Sequence, residues 1–269
     1  MDKEIYTLGI CNCETSSVCL FINGSLISAV SEERFSRKKY DNSFPKQSIN
    51  YVLKYSNINL KRVNQIAYSW GKGFNKNLQP IYKRRSNQLK KNALKIFNAR
   101  IKYEIIRDEK KIKEFKKWSE NNLSKLQKKT LLTFYHHDAH AASAAHLSPF
   151  NKGIVLTSDA RGDFESLTIS IFNRKNINCL RKIYSTTSSD SLGFFYGRIT
   201  GLLGFQPMKH EGKITGLAAQ GDPKKAKMLM HKMITVRNGE LIGNLGNYYK
   251  PFFFPYSKFK FRINKDQGN

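Results

Sequence analysis

Ile5-Tyr6-Thr7-Leu8-Gly9-Ile10-Cys11, Ser17-Val18-Cys19-Leu20-Phe21-Ile22 and Leu26-Ile27-Ser28-Ala29-Val30 are the three runs that decide the fold. All three are rich in apolar or β-branched residues, and the second alternates. Asn23-Gly24 joins the second to the third, the strongest short hairpin signal. Together they predict a three-stranded meander. The pattern returns at Gly153 to Ser158, Ser166 to Phe172 and Cys179 to Tyr184, which predict a second one.

The segments between the meanders fill in an order. Phe44-Pro45 precedes a helix from Gln47 to Tyr55 with Ile49, Val52 and Leu53 on one face, and Gln65 to Trp70 reads as a fourth strand. Residues 76–129 form a basic stretch with apolar residues at near-helical intervals, expected to be a helical insertion packed beside the first subdomain with its lysines solvated. After the second meander come helices at Ser191 to Leu203 and from Asp222-Pro223 toward Met233, then a turn at Asn238-Gly239. The element order repeats although no sequence repeat is visible. A meander with a turn near its start is the arrangement that cradles phosphate in the actin-like sugar kinase and Hsp70 superfamily. By that analogy the phosphate turns are Asn12 to Ser16 and Asp159 to Glu165. The expected fold is α/β, actin-like (ribonuclease H-like). Residues 1–150 make a first subdomain carrying the 76–129 insertion, and residues 151–269 make a second, incomplete one.

Length and composition bound the rest. At 269 residues the chain can bury a real core. No apolar run approaches a membrane span, and Met1-Asp2-Lys3-Glu4 leads into no signal-type core, so no membrane association and a cytoplasmic location are expected. Cys11, Cys13, Cys19 and Cys179 form no CxxC pair and read as reduced and structural. The formal charge of +27 suggests nucleic acid, but lysine outnumbers arginine 34 to 13. Phosphate and base readers favour arginine for its bidentate fork, so a nucleic-acid partner is not expected.

The run His136-His137-Asp138-Ala139-His140, followed by Ala141 to Ala145, carries the chemistry. Alanine and serine dominate, so the segment is predicted helical, which stacks His136 and His140 on one face at i,i+4. Asp159 ends the apolar run Ile154 to Ser158. Two imidazoles and a carboxylate suit iron, zinc or a similar divalent ion. His137, at i,i+3 to His140, competes as a ligand.

Several strings then agree on a family. Ser31-Glu32-Glu33-Arg34-Phe35-Ser36-Arg37-Lys38-Lys39 with Asp41 and Pro45 resembles the early signature of the nodulation-type and antibiotic-type O-carbamoyltransferases. His136 to Ala144 is similar to their HxxxH segment, and Leu156 to Ser166 to their second phosphate-loop strand. Ser191-Leu192-Gly193 through Gly204-Phe205, then Gly212-Lys213-x-x-Gly216-Leu217-Ala218-Ala219-x-Gly221, is similar to their downstream helix and glycine motif. The resemblance runs from about residue 5 to about residue 225.

That resemblance implies an actin-like domain related to the tRNA threonylcarbamoyladenosine transferases, followed by a YrdC-like domain. The YrdC-like domain makes carbamoyl-adenylate from carbamoyl phosphate and ATP, and the actin-like domain passes the carbamoyl group to an acceptor hydroxyl on a small molecule or glycan. A divalent metal, iron in most members, sits on the histidine pair and two aspartates. Here these are His136, His140 and, as the first aspartate, Asp159. Gly162, with Gly212 and Gly216, is expected to cradle phosphate through backbone N–H groups, and Lys213 to supply charge. No catalytic base is identified. Three positions depart from the pattern: Ala160 replaces a glycine, Tyr40 a histidine and Gln220 a tyrosine. The second metal aspartate and the YrdC-like domain have no counterpart before Asn269, so a second chain is expected to supply them. The alternatives are a non-catalytic nucleotide- or metal-holding subunit and a tRNA-modifying transferase. Exposed apolar surface is expected around Phe252-Phe253-Phe254 and the helix Ser191 to Leu203.

Overall fold

A computed structural model describes residues 4–70 and 74–245. The chain divides into two compact units, one of residues 1–75 and 105–140 and the other of residues 76–104 and 141–269.

The first unit is built on strands β1 (Tyr6–Cys11), β2 (Ser17–Ile22), β3 (Ser25–Ser31), β4 (Gln65–Ser69) and β5 (Leu131–Phe134), in the order β3-β2-β1-β4-β5. The first three form the expected antiparallel meander, while β4 lies parallel to β1 and β5 parallel to β4. This is the ribonuclease H-like strand order of an actin-like domain. Asn23 and Gly24 both take positive φ, 50° and 80°, as the tight turn of a right-twisted hairpin requires. One sheet face is closed by Ile49, Val52 and Leu53 of α2 (Lys46–Tyr55), following a one-turn helix α1 (Glu33–Ser36). Phe115 and Trp118, from the far end of a long helix, join the same core. Tyr68 of β4 stacks flat on Phe115, with ring centroids 3.7 Å apart.

Residues 76–129 are helical, as the periodicity predicts: α3 (Gln79–Asn87), α4 (Lys91–Asn122) and α5 (Lys125–Lys129). Their later part, residues 105–129, belongs to the first unit, while residues 76–104 belong to the second. Tyr82, Arg85, Phe97 and Arg100 are buried in the second unit. The Tyr82 hydroxyl donates to the Phe164 carbonyl at 2.6 Å. Arg85 forks onto Asp190, with both Nε–O distances 3.0 Å, and its terminal nitrogen reaches the Gly243 carbonyl at 2.5 Å. The helical pattern is cationic, but its inward stripe carries specific polar anchors.

The second unit holds the antiparallel meander β6 (Lys152–Gly162), β7 (Glu165–Asn173) and β8 (Leu180–Thr187), then α7 (Leu192–Leu202), α8 (Glu211–Ala218), α9 (Pro223–Met233) and the hairpin β9 (Ile234–Arg237)–β10 (Glu240–Gly243). Ser191 caps α7 by accepting from the Phe194 N–H at 3.0 Å, and Asp222 caps α9 by accepting from the Lys224 N–H at 2.9 Å. Strands β6 and β7 run further than predicted, so the expected phosphate loop Asp159 to Glu165 shrinks to a two-residue turn. Asp163 and Phe164 fill that turn at φ 47° and 72°. Among the described residues this sheet gains no parallel strand. No described helix is long and apolar enough to cross a membrane.

Candidate functional site

His136 opens α6 (His136–Leu147), directly after β5 ends at Phe134. The alanine-rich sequence supplies the helix, and the helix supplies the stacking. The His136 and His140 Nε2 atoms lie 3.0 Å apart, so one proton or one cation can be shared between them. His136 is buried with Trp70 edge-on to it, ring centroids 4.9 Å apart, whereas His140 is exposed. His137 is fully buried and its ring centroid is 6.2 Å from that of His140. The close pair is His136 and His140, with His137 standing farther from His140.

Two further groups stand at the same edge of the first sheet. Cys11 ends β1, level with Ser69 of β4. Its Sγ is 3.0 Å from that of Cys13. The hydrogen bond from Cys13, helped by the Ser69 hydroxyl and the charge of His136, pulls the Cys11 thiol down to about 6 against the opposing effect of burial. The turn after β1 is fixed from within its own unit. Buried Asn12 donates to Glu114 at 3.1 Å and accepts from Lys111 at 3.2 Å. The Ser16 N–H reaches the Asp41 carbonyl at 2.9 Å. Burial pushes the Lys111 ammonium down from its ordinary range.

Asp159 sits where β6 is irregular, between Ser158 and Gly162. Its Oδ1 accepts the Ala160 N–H at 2.6 Å, which fixes the side chain. Its backbone carbonyl accepts from the Ser191 hydroxyl at 3.2 Å, tying the strand to the cap of α7. Gly193 is what permits this approach: a Cβ there would meet the Ala160 N and Cα at 2.6 Å. Ala160 is not at positive φ, so this chain needs no glycine after the aspartate. A cavity of about 300 Å³ opens beside Asp159, walled by Gly193, Tyr196 and Glu211 among others.

The residues expected to hold phosphate lie elsewhere in the second unit. Gly162 is buried and pairs with Glu165 across the turn. Lys213 and Gly216 are exposed positions within α8. None of the three lines the Asp159 cavity. A nest needs alternating right- and left-handed backbone; Gly216 lies inside α8, and Gly162 ends β6 just before the positive-φ pair Asp163 and Phe164. Reading the sequence also missed the role of Glu32. Its buried carboxylate accepts from the Gln47 N–H at 3.1 Å, the Ser48 N–H at 2.8 Å and the Ser48 hydroxyl at 2.7 Å. It caps α2, whose own N-cap residue, Pro45, has no side-chain acceptor.

An actin-like α/β chain with an HxxxH helix is thus defined by its own geometry. The chain belongs to the carbamoyltransferase family: the description "Carbamoyltransferase N-terminus" fits residues 7–267. An uncharacterized protein of Methanocaldococcus jannaschii, MJ1051, is 33% identical over 79% of this chain and 33% of its own length. The nodulation protein NolNO of Sinorhizobium fredii is 29% identical over 83% of this chain and 29% of its own. The chain spans about a third of the length of these curated relatives. The solved structure of YeaZ from Pseudomonas aeruginosa aligns with 68% of this chain and 67% of its own at 12% identity and a TM-score of 0.34.

Proposed function

We propose that this chain receives carbamoyl-adenylate and passes its carbamoyl group to a hydroxyl of a small-molecule or glycan acceptor. The family match over residues 7–267 carries this reading. ATP and carbamoyl phosphate are the sources of the intermediate, and a YrdC-like domain or second chain is the partner that makes it. In the transfer the acceptor oxygen bonds to the carbamoyl carbon. The bond from that carbon to the adenylate oxygen breaks, AMP leaves and the hydroxyl proton is lost.

We further propose that His136, His140 and Asp159 hold a divalent ion, with iron the expected one. The donor set fits: two imidazole nitrogens 3.0 Å apart, and a carboxylate fixed through one oxygen to Ala160. Bound there, an ion would supply positive charge to the leaving phosphate. The chain's own residues hold the ligands in place: Trp70 packs on His136, and Ser191 with Gly193 fixes the strand at Asp159. Lys213 adds cationic charge from α8.

Metal content and transfer test this together. The purified chain is expected to retain about one equivalent of divalent metal, and His140→Ala to lose it. Transfer from carbamoyl phosphate and ATP is expected only when a YrdC-like partner is added. Unchanged metal content in His140→Ala, or transfer by the chain unaided, would overturn the corresponding part. Nucleotide and metal binding without transfer under any acceptor or partner would point instead to a holding subunit.

A further inference from the structure

Cys11 and Cys13 are brought together by the turn that follows β1, and no role in transfer has been assigned to them. Their sulfurs are 3.0 Å apart, compared with about 2.05 Å in a disulfide. Both residues are half-buried rather than enclosed. The residue between them, Asn12, is fully buried and held by Glu114 and Lys111. That anchoring fixes the backbone on which the two sulfurs face each other. The remaining cysteines have other surroundings. Cys19 crowds Gly9 in the sheet, and the Cys179 sulfur lies 3.6 Å from His146 Nε2.

We propose that Cys11 and Cys13 are a redox modification site, forming a reversible disulfide with a small-molecule disulfide such as glutathione disulfide as oxidant. One cysteine sulfur attacks a sulfur of glutathione disulfide, loses its proton and expels one glutathione thiolate, leaving a mixed disulfide. The second cysteine then attacks the protein-side sulfur, loses its proton and expels the second glutathione. Two protein thiols thus give up two electrons and two protons, and glutathione disulfide becomes two molecules of glutathione. A bridge across one intervening residue closes a small ring. Strained disulfides are the more easily reduced, so the bond is of the labile, regulatory kind rather than a structural staple. Its closure draws the sulfurs about 1 Å nearer and moves the turn against the contacts of Asn12.

The full 269-residue chain, treated with glutathione disulfide, denatured and alkylated with iodoacetamide, tests this by mass. The expected product has two of its four cysteines alkylated, has lost the mass of two hydrogens, and carries the bridge in the peptide containing Cys11 and Cys13. Excess reduced glutathione should restore four alkylations. Cys13→Ser should stop at a stable glutathione adduct on Cys11. A Cys19→Ser, Cys179→Ser double variant should behave as the parent. Four alkylated cysteines at every glutathione ratio, a persistent glutathione adduct in the parent chain, or a bridge involving Cys19 or Cys179 would each overturn the proposal.

Discussion

Glu32 and Asp41 lie in the run that carries the family resemblance, and both serve the fold. Glu32 completes the N-terminus of α2, where a negative group also meets the positive end of the helix dipole. Asp41 accepts the Ser43 N–H at 2.9 Å. Its hydrogen bond from Ser36, followed by those from Ser43, holds its carboxyl down at about 2 against an ordinary 3.8. The folded value lies below the unfolded one, so the stability Asp41 contributes is complete above about pH 4. It is lost as pH falls through about 2. Acid titration of unfolding should show that loss, and Asp41→Asn should flatten the curve in this window alone. The histidine pair was legible because both partners sit four residues apart on a predictable helix. Glu32's role was not, because its partners are 15 and 16 residues away and two of them are backbone N–H groups that no side-chain pattern marks.

At the level of elements, α4 shows how a cationic helix can conceal its anchors. Glu104 is fully buried and accepts from Arg100 Nε at 2.5 Å, with Arg161 of β6 3.5 Å away. Phe194 packs its ring 4.2 Å from the Arg100 guanidinium. Removing the carboxylate would leave two buried cations facing each other. Glu104→Gln should therefore cost about 3–5 kcal/mol in urea unfolding, while Lys116→Gln on the exposed face should cost less than about 0.5 kcal/mol. Periodicity revealed that these segments are helices, yet it could not tell which arginines turn inward, since Arg and Lys read alike in a pattern of polar and apolar. The strand Leu131–Phe134 was missed for a related reason. Four residues wedged between a basic helix and the histidine motif carry too little alternation to register. Hairpin signals fared better: Asn23-Gly24 and Asn238-Gly239 both form turns with positive φ, whereas Asp163-Phe164 makes the same turn without any glycine.

On the scale of the whole molecule, the second meander presents an apolar face to solvent. Ile154 is 75% and Leu156 62% exposed, and their register partners Ile171 and Ile169 extend the same face across β7. The opposite face carries Thr157, Thr168 and Ser170 with Val155 and Phe172, the last two packed against Ala141 and Ala145 of α6. Exposed apolar patches of this kind promote association. An Ile154→Glu, Leu156→Glu double variant should sediment as a smaller species than the parent and change unfolding free energy by less than about 1 kcal/mol. The sequence led to an expectation of such surface around Phe252 to Phe254, which lies outside the described residues, and over Ser191 to Leu203, where Leu192 and Tyr196 of α7 and its C-cap Leu203 are partly exposed. The patch on the second meander escaped notice because alternation shows that one strand face is apolar, not which face the rest of the chain covers.

Gly193 gives the last consequence. The first turn of α7 rests on the backbone of Ala160, with no room for even a methyl group between them. The placement of Asp159 is therefore set by an atom that is not there. Variation at this position can only thicken the spacer and push the aspartate aside. The accuracy of the carboxylate is thus inherited by main-chain contact, and tuning it by selection must proceed through the neighbours of Gly193 rather than through Gly193 itself.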